Sequence, residues 1–268
     1  MGELLEQEQV RKWEELDTDC LTNIFGRVGL QELINSVPLV CNSWYKASLD
    51  PNCWKILDFR CLHGLAPYKL EFAITRSCGA TTKLVFPHHI QHSLYAQKGI
   101  HKLLPSPSEY FMELFGKLEN LEVLDLGSLA PYMKYILAAI SHHCKNFSSL
   151  TLAGVLYKKQ ARAIVDLVPK IKYLDISDSI LSGSTLMYIL SGCKDLVLLD
   201  ARRCQGFDAK DPDIVKMASH IKTFLTNGST KSIDEFNSLN IVNNDEIEDE
   251  DNDDEDDSED TDDEDSME

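Results

Sequence analysis

A short apolar motif recurs along this chain at an almost constant spacing. It reads LENLEVLDL at 118–126, FSSLTL at 147–152, IKYLDI at 171–176 and LVLLDA at 196–201. The central leucines of the four segments follow one another at steps of 26, 24 and 25: Leu124, Leu150, Leu174 and Leu199. A fixed period of this size indicates a solenoid, because a unit this short cannot bury its apolar face until neighbouring units stack on it.

Helical patterns fill the intervals between the motifs. Residues 131–144, 158–168 and 183–193 each carry apolar residues along one side, as in KYILAAI and LMYIL. Short strands that alternate with helices at a period of 20–29 residues are typical of leucine-rich repeats. The expected fold class is therefore α/β, a short right-handed solenoid over residues 55–228 with parallel strands on the concave face and helices outside.

Two weaker copies extend the series toward the N-terminus. WKILDF at 54–59 and TTKLVF at 81–86 place Leu57 and Leu84 in the same register. The next step, from Leu84 to Leu124, is too long for one repeat of this kind. Residues 87–110 are therefore either a degenerate repeat or an inserted loop, and the sequence leaves both possibilities open. After the last motif, residues 211–225 predict a helix that caps the final repeat.

Residues 13–54 have helical periodicity instead. Two stripes repeat at helical spacing: Leu21, Ile24, Phe25 and Val28, then Val37, Val40, Cys41 and Trp44. Between them, Leu30, Leu33 and Ile34 predict a shorter helical piece. About forty residues of helix cannot bury this much apolar surface by themselves. We expect their apolar sides to face either the rest of the chain or a partner.

The order of residues in this region is also specific. A Trp-x-x-Leu opening is followed by Ile-Phe-x-x-Val, Val-Pro-Leu-Val-Cys-x-x-Trp and Asp-Pro-x-x-Trp-x-x-Leu-Asp. Over residues 13–59 this order resembles the F-box of plant F-box/leucine-rich-repeat proteins. One position departs, because Leu16-Asp17 stands where that family usually has Leu-Pro. Asp can cap a helix where Pro would pre-set φ, so we expect a slightly different entry angle into the first helix.

The resemblance implies a function for the helical region. An F-box binds a Skp-type adaptor, which links it to a cullin and to the ubiquitin-transferring machinery. By resemblance, the chain is expected to be a non-catalytic, substrate-recruiting subunit of an SCF-type (Skp–cullin–F-box) E3 ubiquitin ligase. About half of the candidate adaptor-binding residues are expected to form the contact and the others to pack internally: Leu16, Leu21, Ile24, Phe25, Val28, Leu33, Val37, Val40 and Trp44.

The repeats suggest a second binding surface. Residues that flank the buried leucine of each strand point to solvent, and stacking aligns them in columns on the concave face. One such column contains Asp125, Thr151, Asp175 and Asp200 and would suit a basic or hydroxyl-bearing partner, unless these aspartates merely solubilise the strands. The candidate residues for binding a protein target are Val123, Asp125, Thr151, Tyr173, Asp175, Leu198, Asp200 and Arg202.

The net charge of −18 is concentrated at one end of the chain. The segment from Asp245 to Glu268 contains 18 Asp and Glu, and the other 44 − 18 = 26 acidic residues balance the 26 Lys and Arg. A neutral body gives no electrostatic reason to bind nucleic acid or an anionic membrane. Residues 229–268 are expected to form a disordered acidic tail that could hold a basic protein such as a histone. An alternative function follows, that of a leucine-rich-repeat, acidic-tailed histone-binding or chaperone-like nuclear protein without a ligase role.

The sequence has no recognisable catalytic or metal-binding motif. The chain contains no P-loop, G-x-G-x-x-G, G-x-S-x-G or H-E-x-x-H string, so no catalytic role and no cofactor are expected. His88, His89 and His92 have no carboxylate or thiol at ligand spacing and are interpreted as surface loop residues. The eight cysteines form no C-x-x-C pair and are expected to be reduced. Residues 1–12 are a polar lead-in without a signal-peptide or membrane-helix pattern, and the expected location is the nucleus, the cytoplasm or both.

Overall fold

Seven short parallel strands form one sheet in the order of the chain, β1 to β7. The computed structural model describes residues 13–62, 67–87, 107–127 and 132–233. The strands are β1 Ile56–Asp58, β2 Lys83–Val85, β3 Val123–Asp125, β4 Ser149–Thr151, β5 Tyr173–Asp175, β6 Leu198–Asp200 and β7 Thr223–Leu225. Every neighbouring pair is in register at the central residue, as the repeat period predicts.

Helices connect the strands and pack side by side. They are α4 Pro67–Ser77, α5 Pro107–Phe115, α6 Met133–His143, α7 Lys158–Leu167, α8 Gly183–Gly192 and α9 Pro212–Met217. From α5 onward, each helix contacts the next one along the chain. This arrangement of a parallel sheet with one layer of helices confirms the leucine-rich-repeat architecture. No helix of the described residues is long and apolar enough to cross a membrane.

The central residue of each strand contributes to a continuous column and is buried in β1 to β6 and partly buried in β7. Its first six members have no exposed surface: Leu57, Leu84, Leu124, Leu150, Leu174 and Leu199. They are the leucines that the repeat period had aligned, so the predicted register is confirmed. A side chain buried on this scale contributes about 1.5–3 kcal/mol to folding. This column, termed the leucine column below, is the axis of the repeats.

The C-terminal end differs from the predicted closing helix. Over 211–225 the structure has α9 from Pro212 to Met217, then a single 3-10 turn at Ala218–His220, and then strand β7. Thr223, Phe224 and Leu225 pair with β6, so the series contains a seventh strand. Phe224 stands one repeat length after Leu199 and takes the leucine position. The repeat pattern did not predict this strand because an aromatic side chain replaces the leucine that defines the motif.

The long step between β2 and β3 contains a helix. α5 begins inside the 87–110 interval and continues beyond it to Phe115, and residues 88–106 lie outside the described part of the chain. β2 pairs directly with β3, so no strand of the described residues lies between them. In the described residues, this repeat therefore has the same strand–helix–strand order as its neighbours.

The N-terminal helical unit, residues 13–54, consists of α1 Thr18–Phe25, α2 Leu30–Asn35 and α3 Asn42–Ser48, with intervening 3-10 turns. Val37 and Val40 do not share one helix with Trp44, contrary to the periodicity. Val37–Leu39 is a 3-10 turn, and Cys41 is extended at φ −162° and ψ 172° before α3 begins. The extended backbone of Cys41 therefore divides the predicted stripe between the 3-10 turn and α3.

Trp54 joins the helical unit to the first repeat. Only 2% of its surface is exposed, its indole Nε1 donates to the carbonyl of Ser48 at 2.9 Å, and its own carbonyl accepts from Thr81 Oγ1 at 3.0 Å. Its ring also meets Phe72 of α4 edge to face, with centroids 5.9 Å apart. One continuous apolar core therefore extends from Leu21 to Ile221.

Four cysteines, Cys53 and three in the repeats, belong to this core, as expected of small apolar side chains. Cys144, Cys193 and Cys204 are buried, and the thiols of Cys144 and Cys204 donate to the carbonyls of Leu118 and Ile176. Burial raises the pKa of Cys144 to about 12 and the pKa values of Cys193 and Cys204 to about 11. Because the thiolate is the reactive form, both the burial and the raised pKa protect these thiols from modification.

Native-state alkylation should separate the cysteines by position. At about pH 8, iodoacetamide should modify the exposed Cys20, Cys61 and Cys78 within minutes, whereas Cys193 and Cys204 should react only after denaturation. Peptide mass spectrometry with and without urea measures the difference. Rapid labelling of Cys204 in the native protein would contradict the placement of its repeat.

The leucine column can be tested by truncation. Leu150→Ala should lower the free energy of unfolding by about 2–5 kcal/mol, because it leaves a cavity in a fully buried site. The matched control is Thr151→Ala on the same strand, whose side chain is partly exposed and which should change stability by less than about 1 kcal/mol. Urea unfolding followed by circular dichroism gives both values, and equal losses would contradict the assigned strand faces.

Candidate protein-binding surfaces

The start of α1 explains how the chain accommodates Asp17. Its backbone is at φ −58° and ψ 144°, values that a proline could adopt, and its carboxylate accepts from the backbone N–H of Asp19 at 3.2 Å. Asp17 is therefore an N-cap that keeps a proline-compatible entry into the helix. The backbone angles of Asp17 therefore do not indicate the different entry angle that was expected for the first helix.

Most of the nine candidate adaptor residues lie below the surface. Leu21, Phe25, Leu33 and Val37 are at most 5% exposed and belong to the continuous core. Leu16 and Trp44 are partly buried against that core, and the rings of Phe25 and Trp44 meet edge to face with centroids 5.2 Å apart. These six residues hold the helical unit together. Periodicity cannot separate them from contact residues, because an inward and an outward apolar face can share one short helix.

Three of the nine candidates are exposed. Ile24 is 42% exposed, Val28 37% and Val40 58%. The structure adds three exposed apolar residues of the helical unit that sequence reasoning missed, namely Trp13, Leu39 and Tyr45. Leu39 is the most exposed of them, at 82%, because the 3-10 turn at Val37–Leu39 points it away from the core. The proline at 38 was the available signal for this turn.

Trp13 and α3 are tied together by hydrogen bonds. Trp44 Nε1 donates to the carbonyl of Trp13 at 3.3 Å, and Ser43 Oγ donates to the carbonyl of Glu14 at 2.9 Å. The first turn of the unit is thus fixed beside its last helix, although the partners are distant in sequence. We define the exposed apolar surface of the unit as Trp13, Ile24, Val28, Leu39, Val40 and Tyr45.

On the repeats, the predicted aspartate column exists. Asp125, Thr151, Asp175 and Asp200 are Cα partners on successive parallel strands, so the structure brings them side by side. The same position is Asp58 on β1, which extends the set of strand-ending aspartates to four. Asp125, Thr151 and Asp175 are partly exposed, whereas Asp200 is only 5% exposed.

These aspartates also have a structural role. Each carboxylate accepts a hydrogen bond from the backbone N–H two residues later, at 2.9–3.1 Å: Arg60 for Asp58, Gly127 for Asp125, Ser177 for Asp175 and Arg202 for Asp200. Such Asx turns replace the strand hydrogen bonds where the backbone turns away. The aspartates therefore form turns. This structural role differs from both roles expected from the sequence, which were target binding and solubilisation of the strands.

Asp200 is additionally held by an arginine. Arg202 Nε donates to both carboxylate oxygens at 2.9 and 3.0 Å, and Nη2 donates at 2.6 Å. Burial would raise the pKa of Asp200, but the side-chain and backbone hydrogen bonds of Arg202 outweigh it and hold the pKa below its usual value. Asp58 and Arg60 repeat the same pairing at the other end of the sheet. The pairing reduces the negative charge that Asp200 presents to a target.

The remaining candidates form an apolar patch on the sheet. Tyr173 and Leu198 are Cα partners on β5 and β6, and Tyr173 is 44% exposed while Leu198 is partly buried. Val123 occupies the same position on β3, with Ser149 between it and Tyr173. Apart from Arg202, which follows β6, the candidate target-binding residues therefore share one face of the sheet in two columns.

A metal site is not supported by the described residues, which contain no group of three or more His, Cys, Asp and Glu able to hold an ion. His88, His89 and His92 lie outside the described part of the chain.

Comparison with known proteins agrees with this architecture. The F-box domain family matches residues 13–56, which are the helical unit and its junction with β1. An F-box/LRR-repeat protein of Arabidopsis thaliana is 30% identical over 270 aligned positions, covering 84% of this chain and 87% of the relative. The Arabidopsis F-box protein FBW2 is 29% identical, covering 81% of this chain and 78% of the relative.

The chain belongs to the plant F-box/LRR-repeat family, so the resemblance read from the sequence is confirmed. Its F-box implies binding to a Skp-type adaptor. Among solved structures, an internalin from Listeria monocytogenes aligns with a TM-score of 0.30 and 15% identity, over 72% of this chain and 61% of the internalin. A likeness this low supports no inference.

The Asp200–Arg202 pair predicts an acid-dependent contribution to stability. Because the folded-state pKa of Asp200 is lowered, the stabilisation is complete above the unfolded-state pKa of about 3.9 and is lost as pH falls through the folded-state value. Asp200→Asn keeps an acceptor for the Arg202 N–H but loses the charge. The substitution should lower the free energy of unfolding by about 1–2 kcal/mol at neutral pH. It should also make the drop in Tm between about pH 7 and pH 2 smaller than in the wild type.

The control for this substitution is Asp195→Asn, which removes an exposed aspartate that forms no ion pair among the described residues. Differential scanning calorimetry across the pH range gives both profiles. A pH profile for Asp200→Asn that parallels the wild type would contradict the role of the charge.

Proposed function

We propose that this protein is the substrate-recruiting subunit of an SCF-type E3 ubiquitin ligase. The F-box docks on a Skp-type adaptor, which connects it to a cullin, while the repeats hold a protein target. The chain itself performs no chemistry, because its contribution is to keep the target close to ubiquitin-transferring groups on other subunits. Family membership supports the first contact, and the sheet surface described above supports the second.

One observation in particular supports the proposed adaptor contact. Of the large apolar side chains that are exposed in the described part of the chain, nearly half fall between Trp13 and Tyr45, a short stretch at its N-terminal end. Apolar side chains concentrated this densely on a surface mark a protein–protein contact. The contact we propose is therefore the exposed apolar surface of the helical unit. The buried Leu21, Phe25 and Leu33 support it from below.

The target contact is assigned to the neighbouring strands of the repeats. Tyr173 and Leu198 supply apolar area, and Val123, Asp125, Thr151 and Asp175 line the same face. An extended segment with apolar and hydroxyl or basic side chains would match this mixture. Asp200 and Arg202 border the surface as a paired unit and contribute shape more than charge. We propose the nucleus, the cytoplasm or both as the location, because the eight cysteines lack a C-x-x-C pair and are expected to be reduced.

Two substitutions test the adaptor contact. Ile24→Asp with Val40→Asp places charges on two exposed positions, each of which should cost about 1.5–3 kcal/mol of binding. Together they should weaken the adaptor complex by a factor of about one hundred or more. Co-expression with a plant Skp-type adaptor, followed by gel filtration and calorimetric titration, measures the change.

The matched control carries the same chemical change outside the F-box. Tyr135 and Val215 are 38% and 52% exposed on α6 and α9, so Tyr135→Asp with Val215→Asp should leave adaptor binding within about twofold of wild type. Thermal melts verify that both variants fold. Full adaptor binding by the Ile24/Val40 variant, or no binding by the wild type, would refute the proposed ligase role.

A further inference from the structure

The loops that lead into the last three strands carry an excess of positive charge. Residues 168–172, 193–197 and 218–222 connect α7, α8 and α9 to β5, β6 and β7, and they contain four lysines and one acidic residue, Asp195. All four lysines are exposed. We define them as the lysine edge: Lys170, Lys172, Lys194 and Lys222.

The sheet register places these lysines along one side of the repeats. Tyr173, Leu198 and Thr223 are Cα partners, so Lys172 and Lys222, each one residue earlier, lie two strands apart with Val197 between them. Neighbouring strands are about 4.8 Å apart, so these two lysines start about 10 Å from each other. Lys172 also directly precedes Tyr173, so the edge adjoins the proposed target surface.

Most of these lysines have no ion-pair partner among the described residues. Lys194 Nζ donates to the carbonyl of Leu190 at 3.0 Å at the end of α8, an ordinary use of lysine at a helix C-terminus. Among the described residues, Lys170, Lys172 and Lys222 form no ion pair. The equivalent loop before β3 is different, since Lys117 there pairs with Glu113 and is followed by Glu119 and Glu122.

We propose that the acidic segment 245–268 of the same chain binds the lysine edge and covers the side of the sheet next to Tyr173. The two charges are complementary, because this segment holds 18 Asp and Glu and no Lys or Arg. An acidic strand laid across the edge would meet lysines from three successive repeats. A target that uses Tyr173 must then displace it, which makes the tail a competitor for the target surface.

The chain connection is long enough for this contact. The last described residues run beside the preceding repeat, where Thr230 bridges to Gln205 and Gly206 donates to the carbonyl of Thr230 at 2.9 Å. The connecting segment 234–244 spans up to about 36 Å when extended. Lys222 also lies only 11 residues before the last described residue, Ile233. The acidic segment can therefore reach the edge.

Binding within one molecule is favoured over binding of a separate acidic partner. Exposed ion pairs are individually weak, at about 0–1 kcal/mol each, and a separate peptide would have to supply the whole cost of association. A covalent connection of only 11 residues instead holds the tail at an effective concentration on the order of millimolar. Because the contact is electrostatic and exposed, it should weaken as salt is added.

Zero-length cross-linking of the full-length wild type tests the contact. A carbodiimide joins a lysine amine to a carboxylate that touches it, and mass spectrometry identifies the linked peptides. At about 10 mM ionic strength, where the Debye length is about 30 Å, residues 245–268 should link to the lysine edge about fivefold more often than to Lys158 and Lys159. Those two lysines are exposed at the start of α7, at its opposite end from Lys170, and serve as internal controls.

Salt and isotope labelling complete this experiment. At about 1 M ionic strength, where the Debye length is about 3 Å, the preference for the lysine edge should disappear. In a mixture of light and heavy copies, the links should stay within one copy. Links spread evenly over all exposed lysines, or links found only between copies, would overturn the proposal.

A charge-reversal variant provides an independent measurement. Lys170→Glu with Lys172→Glu and Lys222→Glu should release the tail, so that the radius of gyration at low salt rises to the value that wild type reaches only at high salt. The matched control, Lys134→Glu with Lys158→Glu and Lys159→Glu, changes three exposed lysines elsewhere and should behave as wild type. An unchanged radius in the folded edge variant would contradict the proposal.

Neither measurement involves the adaptor or a ubiquitin assay. The tail contact can therefore fail while the ligase role stands, and the reverse is also true. If the edge variant does not fold, the cross-linking of the wild type decides the question by itself.

Discussion

The leucine column is the constraint on which the rest of the structure depends. Six leucines and Phe224, one from the centre of each strand, stack along the whole repeat region, and the six leucines have no exposed surface. Because side chains alternate along a strand, fixing the central residue inside also fixes both flanking residues on the opposite face. The columns that contain Tyr173 and Asp175 are direct consequences of this buried contact. A shift of one residue in any strand would exchange core and surface.

The F-box shows how one short helix can serve both folding and binding. In α1, Leu21 and Phe25 are almost fully buried, while Ile24 is 42% exposed. The inward side chains join the core that continues through Trp54 into the repeats, so the unit is anchored without a partner. The more exposed side chains, such as Ile24, form the surface that is proposed to bind the adaptor. Stability and the proposed recognition are thus assigned to neighbouring sides of the same short helix.

Charge in the repeats is used for structure first and recognition second. Strand-ending aspartates close Asx turns, and Arg60 and Arg202 neutralise Asp58 on β1 and Asp200 on β6. What remains for binding is the partly exposed middle of the column around Asp175, the apolar pair Tyr173 and Leu198, and the lysines that precede the last strands. A neutral body therefore still presents surfaces of distinct character, because its charges are sorted by their position in each repeat.

The sequence by itself determined the α/β class, six of the seven strands and the identity of the F-box, since each depends on local spacing that one leucine or tryptophan position can report. It also aligned Asp125, Thr151, Asp175 and Asp200, because a constant repeat length makes sequence offset equivalent to spatial position. The break at Cys41, the strand around Phe224 and the exposure of Leu39 were decided only by the tertiary structure. Whether an apolar residue faces inward depends on which distant element covers it, and spacing along one helix contains no information about that neighbour.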